Sequence, residues 1–268
     1  MTLKQENASE DPAALIEDIT AHFRAMKLPR LADAGIYLGT PLPILDNFCQ
    51  ALNEQRSGDE KKRFANRLRY AGIARERTSE AFKWDAGTYP LAEPGAIERA
   101  LDIGFARQRK NLIVAGPPGT GKSMLAIIVA CKAIRAGLSV KYRTAHDIAT
   151  GLREAKAGNS LSGYINKLQS CDMLIIEDAT FATFDSKTAQ SFFSIIDGRY
   201  GRKSTVITSN GSLNEWAAAF PDKNMSTALL GRLYEDAILI NMNGAQDMRL
   251  LRAMGAPGSE IILKKEDD

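Results

Sequence analysis

Cysteine is scarce in this 268-residue chain, and its three copies, Cys49, Cys131 and Cys171, stand far apart. No pair has the spacing of a metal knuckle, which excludes a zinc-bearing module. Cys131 sits in an apolar helical stretch and reads as a small core residue. Long hydrophobic runs are also missing. The best candidate, Met124 to Ala136, is broken by Lys132 and is too short to span a bilayer. The opening "MTLKQENASEDP" has no apolar signal core, so a cytoplasmic protein with no membrane partner is expected. No repeat at solenoid periods is visible. A strong charge bias is absent too: the net charge of +3 is too weak to name a partner. What remains is ordinary globular material, 44% hydrophobic and 25% charged, enough for one substantial core and a small extra domain.

The chain changes rhythm near residue 85. Before it, Leu15, Ile16, Ile19, Phe23 and Met26 recur at close to helical spacing. Gly39 and Pro41 interrupt, and a second helical run is expected from about Leu42 to Ala81. "KWDAGTYPLAEPG" reads as a linker. After residue 95, strands alternate with helices. Strands are expected at "NLIVAG", "SVKYRTA", "DMLIIED", "STVITSN" and "AILINM". Helical stretches follow each of the first four. This alternation predicts an α/β fold, a parallel sheet covered by helices on both faces. The expected divisions are a helical N-terminal domain over 1–85, an α/β domain over 86–250 and a tail over 251–268.

Between the first strand and its helix lies "GPPGTGKSM", residues Gly116, Pro117, Pro118, Gly119, Thr120, Gly121, Lys122, Ser123 and Met124. It fits G-x-x-x-x-G-K-[ST] in the strand–loop–helix context that the motif needs. The glycines let the backbone curl so that successive N–H groups face a phosphate, and the helix N-terminus adds its dipole. Lys122 is expected to reach the β- and γ-phosphates of ATP, and the Ser123 hydroxyl to hold magnesium.

A second buried strand ends in Glu177 and Asp178. In such sites the first acid binds magnesium and the second polarises the attacking water. Glu177 is one methylene longer than the usual Asp, so it acts through water or Asp178 takes part of the metal role. Two acids capping a strand for solubility is the plainer alternative. Asn210, at the end of "STVITSN", is placed to hold the attacking water or the γ-phosphate; a turn or helix-cap Asn is its alternative. Arg232 in "LLGRLYED" can reach the γ-phosphate held by a neighbouring subunit, or else pairs on the surface with Glu235 or Asp236. Arg199 and Arg202 are competing or additional interface cations.

"GPPGTGKS", "LIIED", "FFSIIDGRY" running into "STVITSN", and "LLGRL" together resemble the AAA+ ATPases of the IstB/DnaC type. These are insertion-sequence transposition helpers and bacterial helicase loaders. The resemblance covers roughly residues 82 to 245, with Phe82 and Trp84 of "EAFKWD" matching the segment before that ATPase domain and "FRAMKLPRLADA" a weaker echo of the IstB opening. It implies an AAA+ P-loop core with a small N-terminal helical domain, ATP-dependent homo-oligomers with nucleotide-bridged interfaces, DNA, and a transposase or a replicative helicase as partner. The family's magnesium acid falls on Glu177, its catalytic acid on Asp178, its polar sensor on Asn210 and its arginine finger on Arg232. Members usually carry Asp-Asp at the acidic pair, so Glu177 points to a displaced ion and slow turnover without DNA or partner. On that reading Glu177→Asp raises the basal rate.

The second N-terminal helical run carries eight Lys and Arg against four acids between Glu54 and Arg77, more surplus charge than the whole chain. Lys62, Arg63, Arg67 and Arg69 lie in it, with Arg63 and Arg67 one turn apart. Such a stripe can neutralise DNA phosphates without reading sequence. A solvated face or a protein-binding face is the alternative. The leading function is an ATP-hydrolysing regulator of DNA transposition that assembles on DNA and recruits or activates a transposase. The alternatives are a replicative helicase loader and a low-turnover ATP-dependent DNA scaffold. A small-molecule kinase fits poorly, since no substrate lid or acceptor site is recognisable.

Overall fold

The computed structural model describes residues 11–33, 40–81, 89–93, 95–181, 184–218, 220–245 and 247. The chain forms two compact units, Met1–Asn66 and Arg67–Asp268. The division falls inside a helix. The boundary expected near 85, Phe82, Trp84 and the tail over 251–268 lie outside the described residues.

In the first unit, α1 (Pro12–Ala25) starts where the Asp11 carboxylate accepts from the Ala13 N–H, with proline in the first turn. After α2 (Pro29–Asp33) comes α3 (Leu42–Ala71), whose first part completes the unit. Leu15, Ile19, Phe23, Ala32, Leu45, Cys49 and Leu52 form its core. Met26, expected on the apolar stripe, is 41% exposed because the helix has already ended there.

α3 stops ten residues short of its expected end. Gly72 takes φ +91°, its N–H bonds to the Arg69 carbonyl and the Ile73 N–H bonds to the Leu68 carbonyl. That is a Schellman stop, which satisfies the last carbonyls of the helix.

In the second unit, the end of α3 is followed by two short helices, α4 (Ala96–Asp102) and α5 (Gly104–Arg107). Five strands and six helices then alternate: β1 (Leu112–Ala115), α6 (Lys122–Arg135), β2 (Val140–Thr144), α7 (Ala145–Ala157), α8 (Leu161–Ser170), β3 (Met173–Glu177), α9 (Ser186–Arg199), β4 (Ser204–Ser209), α10 (Leu213–Ala218), α11 (Lys223–Tyr234) and β5 (Ile238–Asn241). All strand pairs are parallel, in the order β2-β3-β4-β1-β5. All six residues of β4 are buried, as a central strand covered on both faces requires.

Pleat alternation divides the side chains between two layers. Ile113, Leu174, Ile176 and Ile207 join a core with α7 to α11, which includes Phe184, Phe192, Trp216 and Phe220 in mutual ring contact. The alternate residues, Leu112, Val114, Met173, Ile175 and Val206, are fully buried on the opposite face, where α6 packs on the sheet. Cys49, Cys131 and Cys171 are free and buried, and burial pushes each thiol above its usual range. No helix among the described residues is long and apolar enough to cross a membrane.

Candidate functional site

The loop 116–121 leaves β1 and enters α6. It is held from several directions. The Gly116 N–H donates to the Ser209 carbonyl at 3.1 Å, tying the loop to the end of β4. A Cβ on Gly116 would lie 2.9 Å from the Met242 carbonyl carbon, so only glycine fits between loop and β5. Thr120 is buried; its hydroxyl donates to the Pro117 carbonyl at 2.9 Å, and its own carbonyl accepts from the Tyr89 hydroxyl at 2.9 Å. Lys122 is 5% exposed, and its ammonium donates to the Pro117 carbonyl at 2.7 Å. The lysine therefore lies folded along the loop. Gly119, at φ +83°, has the Asp247 carboxylate so close that a Cβ would collide with it.

The acidic side is built on β3 and β4. Sheet order places β4 between β1 and β3, so the loop, Asn210 and the acid pair stand at three neighbouring strand ends. These are carboxyl ends, where ligands bind in open parallel sheets. The Asp178 N–H donates to the Thr208 hydroxyl at 3.1 Å, with Asp178 at φ 52°. The Asn210 amide points at the Asp178 carboxylate, 3.5 Å away. Glu177 accepts a hydrogen bond from the Tyr142 hydroxyl on β2. Burial, then the hydrogen bond and charge of Glu177, push the Tyr142 phenol far above its usual range, so it stays a donor.

The residues present fit magnesium. Ser123, Glu177 and Asp178 are all partly accessible. Magnesium keeps several waters and takes one or two carboxylates plus phosphate oxygens, so this limited oxygen set suffices. No cluster of three or more His, Cys, Asp or Glu that could cage an ion on its own exists among the described residues.

The structure brings together residues 116 to 123, Glu177, Asp178 and Asn210. Arg232 stands apart within one chain. On α11 it meets α9: its Nε donates to Asp197 at 2.7 Å, and its guanidinium lies 4.8 Å over the Phe193 ring. Its ion-pair partner is thus Asp197, not Glu235 or Asp236; Glu235 instead accepts from the Tyr200 hydroxyl. Arg199 cannot be an interface cation. It is 1% exposed, and its guanidinium donates to the carbonyls of Leu168 and Cys171 at 2.8 Å, to the Ser204 carbonyl and to the Thr205 hydroxyl at 3.1 Å. Arg202 is exposed.

On α3, Lys62, Arg63 and Arg69 are exposed. Arg67 belongs to the second unit and donates to the Ile134 carbonyl at 3.3 Å, so it is tied within its own unit rather than standing as a free partner to Arg63. Sequence reading missed Tyr89, Tyr142, Thr208 and Asp247. Tyr142 alone left a trace, a polar-tipped aromatic near the carboxyl end of a strand.

Comparison with known proteins agrees with this fold. An ATP-binding protein of insertion sequence IS21 from Pseudomonas aeruginosa is 29% identical over 196 residues, 73% of this chain and 73% of its own. AMPPCP-bound DnaA from Aquifex aeolicus superposes with a TM-score of 0.53 at 22% identity, over 66% of this chain. The match spans about half of the DnaA chain, 52%. DnaI superposes with a TM-score of 0.53 at 18% identity, over 62% of this chain and 90% of its own. Both structures share the AAA+ P-loop fold with this protein. Residues 42–255 match the family described as IstB-like ATP binding protein, and the chain belongs to that family.

Proposed function

We propose that this protein is an ATP-hydrolysing AAA+ regulator of DNA transposition that oligomerises on DNA and recruits or activates a transposase. The observation that carries the reading is the convergence of the phosphate loop, the Glu177–Asp178 pair and Asn210 on three adjacent strand ends. Transposition is preferred over helicase loading because the similar curated proteins are insertion-sequence proteins. Lys122 leaves the Pro117 carbonyl to contact the β- and γ-phosphates. Ser123, Glu177 and Asp178 hold magnesium, which when bound neutralises charge on the phosphate oxygens. Asp178 polarises the attacking water, and Asn210 orients it. Arg232 of a neighbouring subunit stabilises the transition-state charge. Lys62, Arg63 and Arg69 supply sequence-independent contacts to DNA phosphates. Basal turnover is slow, because Arg232 acts only after leaving Asp197 for a neighbour.

The test is ATP-dependent retention of DNA. Lys122→Ala should lose ATP binding by calorimetry and with it DNA-bound oligomers. Neutralising Lys62 and Arg63 together should flatten the slope of log DNA affinity against log salt by about two units at most. Unchanged ATP affinity in Lys122→Ala would overturn the nucleotide assignment. An unchanged salt slope would move the DNA contact off α3.

A further inference from the structure

The geometry points to Tyr142 as a positioning residue for Glu177: its hydroxyl holds one carboxylate oxygen and leaves the other able to take an ion, so that Tyr142 and the longer acid work as a matched pair. This rests on the magnesium–ATP reading above.

Parallel pairing sets Tyr142 opposite Ile175 and Thr144 opposite Glu177. All four share one face of the sheet, the face covered by α6. Tyr142 is thus the diagonal neighbour of Glu177, at a separation that an aromatic side chain spans. The nearer residue, Thr144, accepts from the Asp147 N–H at 2.9 Å in the capping box of α7. On β2 it is the Tyr142 hydroxyl that hydrogen-bonds to the acid.

The Tyr142 hydroxyl donates to one Glu177 carboxylate oxygen, and that contact fixes how the carboxylate is turned. An Asp at 177, one methylene shorter, would fall short of Tyr142 and orient freely. The extra methylene of Glu177 therefore works together with the tyrosine. This reverses the sequence expectation that a shorter acid turns over faster. Partners that orient a metal ligand typically change metal affinity ten- to hundredfold when removed.

The experiment is a double-mutant cycle on the full-length protein with Tyr142→Phe, Glu177→Asp and both together. Tyr142 lines an open cavity of about 520 Å³, and Phe keeps the ring, so thermal unfolding should barely change. Two quantities are read: the magnesium concentration for half-maximal binding of a fluorescent ATP analogue, and that for half-maximal ATP turnover on DNA. Each single variant should raise both about tenfold, and the double should be no worse than Glu177→Asp alone. An unchanged magnesium requirement in Tyr142→Phe, or effects that multiply in the double, overturns the pairing while the magnesium–ATP reading stands. Wild-type analogue binding that ignores magnesium overturns both. Should Tyr142→Phe fail to fold, Glu177→Asp decides alone: a magnesium requirement at or below that of wild type refutes the pair.

Discussion

Replacing Arg232 by alanine separates two readings because their magnitudes are far apart. In one chain the side chain makes an ion pair with Asp197 whose members are 28% and 51% exposed. Such a pair contributes at most about 1 kcal/mol. The contact over Phe193 adds about 0.5–1 kcal/mol. The structural loss in Arg232→Ala is therefore about 1–2 kcal/mol, a melting shift of about 2–8 °C for a protein of this size. An arginine that stabilises phosphoryl-transfer charge in trans is worth about 10³–10⁵ in turnover, or roughly 4–7 kcal/mol of barrier. Stability loss of the first size cannot produce a rate loss of the second. The assay is phosphate release on DNA at a temperature where both proteins are folded, paired with thermal melting. Asp197→Asn is the control. It breaks the same ion pair but leaves the arginine, so it should melt lower yet keep or exceed wild-type turnover. Mixing Arg232→Ala with Lys122→Ala should restore part of the rate, since one subunit supplies the intact nucleotide site and the other the arginine. A loss of only a few-fold in Arg232→Ala, matched by Asp197→Asn and not rescued by mixing, would refute the trans role and leave Arg232 as a strut between α9 and α11.

Two further outcomes follow from other groups. Arg199→Met should cost about 3–5 kcal/mol, because it strands buried carbonyls of Leu168, Cys171 and Ser204, each worth about 1–3 kcal/mol when unsatisfied; denaturant titration measures it, and a loss under about 1 kcal/mol would refute the clamp. Lys203, with Ser139, lowers the Asp172 carboxyl from 3.8 to about 2. Its folded value lies below its unfolded one, so its contribution is complete above pH 3.8 and is lost as pH falls through about 2. The stability gap between wild type and Asp172→Asn should therefore close across that window in acid melts, and a gap constant with pH would show that the carboxylate charge is not what matters.

All five expected strands are present; β1 and β3 are short, largely apolar runs beside turn residues. Buried on both faces, they need no alternation to be found. Helix ends were less legible. Past Ala71 the sequence stays rich in Arg and Glu, which suit a helix, and only the left-handed turn at Gly72 ends it. α4 and α5 were overlooked since they meet at Ile103, which takes φ 58°, a conformation that nothing in an isoleucine announces. The phosphate loop is local in sequence and was complete on sight. The partners of its distant groups were not. Tyr142 reaches Glu177 only through the β2–β3 pairing, and a list of strands does not contain their order. Arg199 sits in "GRYGRK", among residues that look solvated, and only the convergence of α8, the turn after it and β4 reveals a buried cation.

The Asp247 carboxylate against Gly119 gives the phosphate loop a resident anion of its own. On the proposed nucleotide reading, ATP would enter as a rival rather than as a first occupant. Its observed affinity is the intrinsic one multiplied by the fraction of chains in which the loop is clear; if the acid holds nine chains in ten, the apparent dissociation constant is about tenfold weaker. Moving the Asp247 carboxylate alone would then tighten nucleotide binding without touching a single nucleotide contact.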